Sequence, residues 1–190
     1  MSKIKKIFSR NEIAQFIVLG FSQSGKTTLI RYMETEQPVI EDPRMTLGID
    51  YRKKTISIFD VKFRAIDIGG EIGDGSTFQQ IFWSMGMGSA DAIIYMIDGV
   101  LRAEMPHFDL SFRAFNYAVD VLPDNKPILI FINKQDIIDE YPMSIEEATN
   151  LYLINRLSGR NYAIFPSSAK FGDGVLDGLF WLEKALLEKN

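Results

Sequence analysis

A glycine-containing stretch, GFSQSGKT at residues 20–27, matches the phosphate-binding pattern G-x-x-x-x-G-K-[ST]. Gly20 and Gly25 allow the backbone to wrap closely, so that successive N–H groups point at anionic oxygens. Lys26 adds a full positive charge for the terminal phosphates, and Thr27 offers a hydroxyl to Mg²⁺. The stretch therefore predicts a nucleoside triphosphate site formed by Gly20, Ser22, Gln23, Ser24, Gly25, Lys26, Thr27 and Thr28.

A second polar motif, NKQD at residues 133–136, directly follows the apolar run PILIFI. The carboxylate of Asp136 can accept from the ring N–H and the exocyclic amine of guanine, whereas adenine offers no such pair of donors. Lys134 can lie along the base plane, and Asn133 can tie this loop to the phosphate loop. In SSAK, at residues 167–170, the Ala169 N–H can meet the guanine carbonyl. The predicted base-binding residues are Asn133, Lys134, Asp136, Ser168, Ala169 and Lys170.

A third motif, DIGG at residues 67–70, follows a β-rich run and suits a metal and a γ-phosphate. Asp67 is placed to hold Mg²⁺ through water. The glycines allow the backbone to swing, so that the N–H of Gly70 can reach the γ-phosphate. Thr46, in RMTLGID, is the predicted second hydroxyl on Mg²⁺. The predicted metal residues are Thr27, Thr46 and Asp67.

The elements that must position these motifs alternate along the chain. Apolar runs of strand length precede residues 20, 98, 133 and 166, and two β-rich runs at 51–59 and 61–68 predict a hairpin. Helical patterns lie between them, and Ser144 three residues before Glu147 is a capping-box signature. These patterns predict an α/β fold of three layers: a six-stranded, mostly parallel sheet with one antiparallel edge strand and helices on both faces. In such sheets ligands bind at the carboxyl ends of the strands, where the three motifs fall.

Composition favours one domain over residues 13–190, preceded by a basic segment at 1–12. The chain has 190 residues, is 46% apolar and contains no cysteine, which excludes disulfides and thiolate metal sites. Its net charge is −4, but the first ten residues carry +4, so the remainder carries −8. A body this acidic argues against nucleic acid as a partner. The single histidine, His107, is far from every motif and is predicted to be a surface residue.

With these motifs together, the chain resembles a Ras-superfamily small GTPase of the Arf/Sar group, the P-loop G-domain fold. The resemblance covers nearly the whole length and rests on GFSQSGKTT, MTLGID, DIGG, NKQD and GDGVLDGLFWLEKAL. It implies a switch that binds GTP or GDP with Mg²⁺ and hydrolyses GTP. It also implies an exchange factor, an activating protein and effectors that read two switch segments, here residues 40–50 and 67–88.

Glu71 departs from the family pattern, which usually has glutamine there. An ionised carboxylate can only accept hydrogen bonds, and it would repel the γ-phosphate oxygens. With Lys26, Gly70 and Glu71 as the catalytic candidates, we expect slow intrinsic hydrolysis; a solvent-facing Glu71 would leave the rate unaffected. About five extra residues within IGDGST lengthen the second switch relative to the family. The alternative functions are a GTP-binding scaffold without useful turnover and, less well supported, an ATP-using phosphotransferase.

Two common membrane anchors of the superfamily are excluded by residue type. Ser2 replaces the glycine that many members myristoylate, and there is no cysteine to prenylate. In residues 1–10, Ile4, Ile7 and Phe8 lie on one helical face among basic residues, which suits weak, reversible contact with anionic lipid. The alternative is a short helix packed on its own domain, and liposome sedimentation with and without residues 1–10 separates the two. We expect a cytoplasmic protein with, at most, peripheral membrane attachment.

Overall fold

The computed structural model describes residues 14–40, 54–58, 61–67 and 90–188. Its strands are β1 (Ala14–Gly20), β2 (Lys54–Ile58), β3 (Val61–Asp67), β4 (Ala92–Asp98), β5 (Ile128–Asn133) and β6 (Tyr162–Pro166). Its helices are α1 (Lys26–Thr35), α2 (Phe108–Val121), α3 (Ile145–Tyr152) and α4 (Val175–Leu187), with short 3₁₀ turns at Ile138–Glu140 and Ile154–Leu157. The basic segment at 1–12 and nearly all of both predicted switches lie outside the described residues.

The six strands form one sheet in the order β2-β3-β1-β4-β5-β6. Strand β2 pairs antiparallel with β3, as the predicted hairpin requires, and every other neighbouring pair is parallel. The antiparallel strand lies at the edge of the sheet. The predicted six-stranded, mostly parallel sheet with one antiparallel edge strand is therefore confirmed.

Alternating side chains of the central strands build a core on each face of the sheet. From β1, Ile17 and Leu19 join the apolar residues of α2 and α3, whereas Phe16 and Val18 join those of α1 and α4. The same alternation continues through β4 and β5. Helices thus cover both faces, and the three-layer architecture is confirmed. Among the described helices, none has the length and apolar character needed to cross a bilayer.

The start of α3 follows the prediction and its end does not. The Ser144 hydroxyl accepts from the Glu147 N–H at 3.2 Å, and the Glu147 carboxylate accepts from the Ser144 N–H at 2.8 Å, which completes the capping box. The bonds from Ser144 also lower the pKa of the Glu147 carboxyl. The helical pattern continues to residue 157, but Leu153 adopts a left-handed φ of 56°, which ends the helix at Tyr152. A 3₁₀ turn then buries Ile154 and Leu157.

Glu183 is a charged residue on the buried face of α4. Its side chain is only 2% exposed, and no described residue hydrogen-bonds its Oε1. Burial raises the pKa of this carboxyl, because the ionised form loses its hydration. The ionised side chain therefore opposes folding at neutral pH.

Replacing Glu183 with glutamine is expected to raise the free energy of unfolding at pH 7 by about 1 kcal/mol. Because burial raises the folded pKa above the unfolded value of about 4.3, the gain should be largest above the folded pKa and should disappear below about pH 4.3. Denaturant unfolding at pH 7 and at a pH below about 4.3 measures the difference in free energy of unfolding between the variant and the wild type. Glu104→Gln, which removes an exposed carboxyl, is the control. An equal gain from both variants, or a gain that grows on acidification, would contradict this account.

Candidate nucleotide site

The carboxyl ends of the five parallel strands lie along one edge of the sheet. The phosphate loop follows β1, DIGG begins at the last residue of β3, NKQD begins at the last residue of β5, and SSAK follows β6. The register pairs Val18 with Asp67, Gly20 with Met96, Asp98 with Asn133, and Ile132 with Pro166. The fold therefore brings together motifs that are far apart in sequence.

The phosphate loop runs from Gly20 into the first turn of α1. Gly25 has a φ of 97°, and a side chain there would place its Cβ 2.2 Å from Asn133 Nδ2, so only glycine fits this close approach. Gln23 is exposed and has a left-handed φ of 61°. The loop thus ends at the positive end of a helix, which favours binding of anionic groups.

Lys26 is the first residue of α1 and is nearly buried, with 6% of its surface exposed. Its ammonium donates to the carbonyl oxygens of Gly20 at 3.1 Å and Phe21 at 2.9 Å. These bonds hold the positive charge inside the loop that is predicted to wrap the phosphates. Ser22 and Thr28 are half-buried in the same stretch.

Asn133 is the residue that joins the three loops. It is 3% exposed, and its Nδ2 donates to the Ser24 carbonyl of the phosphate loop at 2.8 Å. Its Oδ1 accepts from the Ala169 N–H at 2.8 Å and, more weakly, from the Ser167 hydroxyl at 3.5 Å. The predicted tie between Asn133 and the phosphate loop is therefore present, and it extends to the loop after β6.

The rest of NKQD forms a tight turn around Asn133. Lys134 has a left-handed φ of 66°, and its ammonium is 2.7 Å from Asp98 Oδ2. Gln135 donates from Nε2 to the Met143 carbonyl at 3.0 Å, which fixes the turn from behind. Asp136 is half-buried, and no described residue hydrogen-bonds its carboxylate. The role of Asp136 as the acceptor that reads guanine stays a prediction.

The loop after β6 is held by its own backbone and by the segment after α1. The Gly172 N–H donates to the Ser168 carbonyl at 2.7 Å, and the Lys170 carbonyl accepts from the Val39 N–H at 2.8 Å. The Lys170 side chain is exposed, and its ammonium lies 5.3 Å from the ring centre of Phe171. The Ala169 N–H is donated to Asn133, so its use for the guanine carbonyl stays a prediction.

Of the three predicted magnesium residues, the structure describes Thr27 and the backbone of Asp67. Thr27 follows Lys26 in the first turn of α1 and is half-buried. Asp67 is the last residue of β3, and its backbone lies beside Val18 of β1. Hydroxyl and carboxylate oxygens are ligands of the kind that Mg²⁺ binds in proteins. Thr46, Gly70 and Glu71 lie outside the described residues, so their roles stay predictions.

Comparison with known proteins decides the family. The sequence model of the ADP-ribosylation factor family matches residues 1–186. The chain belongs to the ADP-ribosylation factor family. It is therefore a small GTPase of the Arf and Arl type, a GTP-binding switch. Members of this family bind guanine nucleotide and are GTPases in general, which agrees with the motifs on the sheet edge.

Individual relatives of this family member share about a quarter of its residues over almost its full length. ADP-ribosylation factor 1 of Brassica rapa subsp. pekinensis is 29% identical over 185 residues, covering 93% of this chain and 90% of that protein. ADP-ribosylation factor-like protein 1 of Saccharomyces cerevisiae is 24% identical over 188 residues, covering 99% and 96%.

A solved structure, the Arl6 BBS3 small GTPase from Trypanosoma brucei with the bound nucleotide analogue GppNp, shares the fold of this family member. The TM-score is 0.73 at 23% sequence identity, covering 94% of this chain and all of that one.

The structure places two residues near the site that the sequence analysis did not place there. His107 is exposed as predicted, but the prediction that it lies far from every motif is wrong. Its ring centre is 6.3 Å from that of Phe21 in the phosphate loop. Asp98, which pairs with Lys134, was not identified from the sequence. The available signal was an acid at the end of a buried apolar run, at the same sheet edge as the motifs.

Proposed function

We propose that this family member cycles between GTP-bound and GDP-bound states, hydrolyses GTP slowly on its own, and recruits effectors in its GTP form. The observation that carries the proposal is the position of Asn133, which links the phosphate loop, the NKQD turn and the loop after β6. A single nucleotide spanning these loops would have phosphates at Lys26 and a base at Asp136. The base specificity rests on Asp136, since its acceptors match the paired donors of guanine.

The residues of this chain have distinct tasks in that cycle. Lys26 supplies positive charge to the terminal phosphates, and the Gly70 N–H is proposed to contact the γ-phosphate. Thr27, Thr46 and Asp67 would hold Mg²⁺, which neutralises charge on the phosphates when bound. In the GTP form, contacts through Thr46 and Gly70 would order residues 40–50 and 67–88 for effectors. An exchange factor and an activating protein would act on the same segments, in the cytoplasm or at a membrane surface.

The hydrolysis rate depends on Glu71, which lies in the proposed second switch. A neutral amide can accept a hydrogen bond from the attacking water and donate toward the transition state, whereas a carboxylate only accepts. We therefore expect Glu71→Gln to raise the single-turnover rate of phosphate release by about tenfold or more. The full chain is loaded with GTP, and hydrolysis is started by adding Mg²⁺. Glu140→Gln, which changes an exposed residue, is the control.

The outcomes separate the candidate functions. Equal, clearly enzymatic rates for wild type and Glu71→Gln would show that Glu71 does not limit hydrolysis. Tight GTP binding without phosphate release, even with an activating protein, would favour a GTP-binding scaffold instead. A wild-type chain that binds ATP as well as GTP would refute the guanine assignment.

A further inference from the structure

We infer that Asp98 is a positioning residue for guanine nucleotide. Its carboxylate holds the Lys134 side chain beside the position that the base is proposed to occupy. The inference rests on the proposed function and on the expectation from the sequence that the stem of Lys134 lies along the base plane. It adds to the site a residue that lies outside the three motifs, at the end of β4.

The contact itself is short and partly shielded from water. Lys134 Nζ lies 2.7 Å from Asp98 Oδ2, and the two side chains are 25% and 13% exposed. Exposed ion pairs contribute little because water and salt screen them, but this pair is more enclosed. The other carboxylate oxygen, Oδ1, accepts from the Val100 N–H at 3.1 Å. Both oxygens are therefore used, and the carboxylate is fixed in orientation.

The backbone places the two residues for this contact. Asp98 pairs in register with Asn133, the residue before Lys134. The Gly99 N–H donates to the Asn133 carbonyl at 2.9 Å, and a Cβ at Gly99 would lie 2.2 Å from that oxygen. The turn after β4 thus lies directly against the NKQD turn. Lys134 is itself in the left-handed region, with a φ of 66°, which a lysine rarely adopts.

These contacts matter for the ligand because lysine is flexible. Its four-carbon stem has many rotamers, and ordering them on binding costs entropy. A stem already held at its ammonium end can cover the base with less loss of freedom. Removing the Asp98 charge would release the ammonium and leave the stem mobile. The expected consequence is faster loss of bound nucleotide, with the phosphate contacts unchanged.

Dissociation of a fluorescent GDP analogue from the full chain tests the inference. Asp98→Asn keeps the shape of the side chain and should speed dissociation by about tenfold. Asp98→Glu, which restores the charge on a longer stem, should recover part of the difference. Asp120→Asn is the matched control, since Asp120 pairs with Arg156 on the protein surface and lies near the end of α2, outside every loop of the site. Its dissociation rate should equal that of the wild type.

A double-mutant cycle distinguishes positioning from general support of the fold. If Asp98 acts through Lys134, then adding Asp98→Asn to Lys134→Ala should not change the dissociation rate further. The double variant should lose nucleotide at the same rate as Lys134→Ala alone. Additive effects, or an Asp98→Asn rate equal to wild type, would overturn the inference while wild type still binds GDP. A wild-type chain that binds no guanine nucleotide would instead overturn the proposed function together with this inference.

Discussion

Asp136→Asn is expected to weaken GDP binding by about a thousandfold and to confer binding of xanthosine diphosphate. Guanine presents two donors, the ring N–H and the exocyclic amine, to a carboxylate that accepts both. An asparagine amide has one acceptor and one donor group, so the guanine amine would meet a like donor. Xanthine carries a carbonyl where guanine carries the amine, and it therefore complements the amide. Competition of both diphosphates against a fluorescent GDP analogue measures the exchange of preference.

Asp139→Asn is the matched control, because Asp139 is an exposed carboxylate three residues further along the same loop. It should leave both affinities unchanged. Unaltered GDP affinity in Asp136→Asn would refute the assignment of Asp136 to the base. A loss of GDP binding without any gain for xanthosine diphosphate would show that the substitution damages the loop rather than its specificity.

Much of the fold could be predicted because burial determines residue type along each element. Strands covered on both faces require nearly continuous apolar runs, and β4 and β5 show these runs directly. The capping box at Ser144 could also be predicted, since two side chains and two N–H groups within one turn form it. The end of α3 could not. Leu153 interrupts a sequence whose helical pattern continues, and its left-handed conformation places Ile154 and Leu157 in the core.

The loops of the candidate site could be predicted for a different reason. Phosphate and base recognition each restrict residue type and spacing so strongly that the motifs are visible without structure. The contacts between motifs were harder to predict from the sequence. The tie from Asn133 to the phosphate loop was expected, whereas its acceptance of the Ala169 N–H and the pair of Lys134 with Asp98 were not. Such contacts depend on strand register, which sequence patterns do not specify between distant segments.

Asn133→Ala is expected to weaken binding of every nucleotide that uses the phosphate loop, by about a hundredfold or more. The substitution removes hydrogen bonds to the Ser24 carbonyl and the Ala169 N–H, and leaves both groups buried without that partner. Each such loss costs about 1–3 kcal/mol, so the free energy of unfolding should fall as well. Asn150→Ala, at an exposed position of α3, is the control.

The pattern of losses separates Asn133 from Asp136. Because Asn133 supports both the base turn and the phosphate loop, Asn133→Ala should lower the affinity of the wild type for GDP and that of Asp136→Asn for xanthosine diphosphate alike. Asp136→Asn should exchange one preference for the other and keep the stability of the wild type. Equilibrium binding of both diphosphates, with thermal unfolding of the same samples, measures both quantities. If Asn133→Ala left stability unchanged and lowered only the GDP affinity of the wild type, not the xanthosine diphosphate affinity of Asp136→Asn, Asn133 would act on the base and not through the loops.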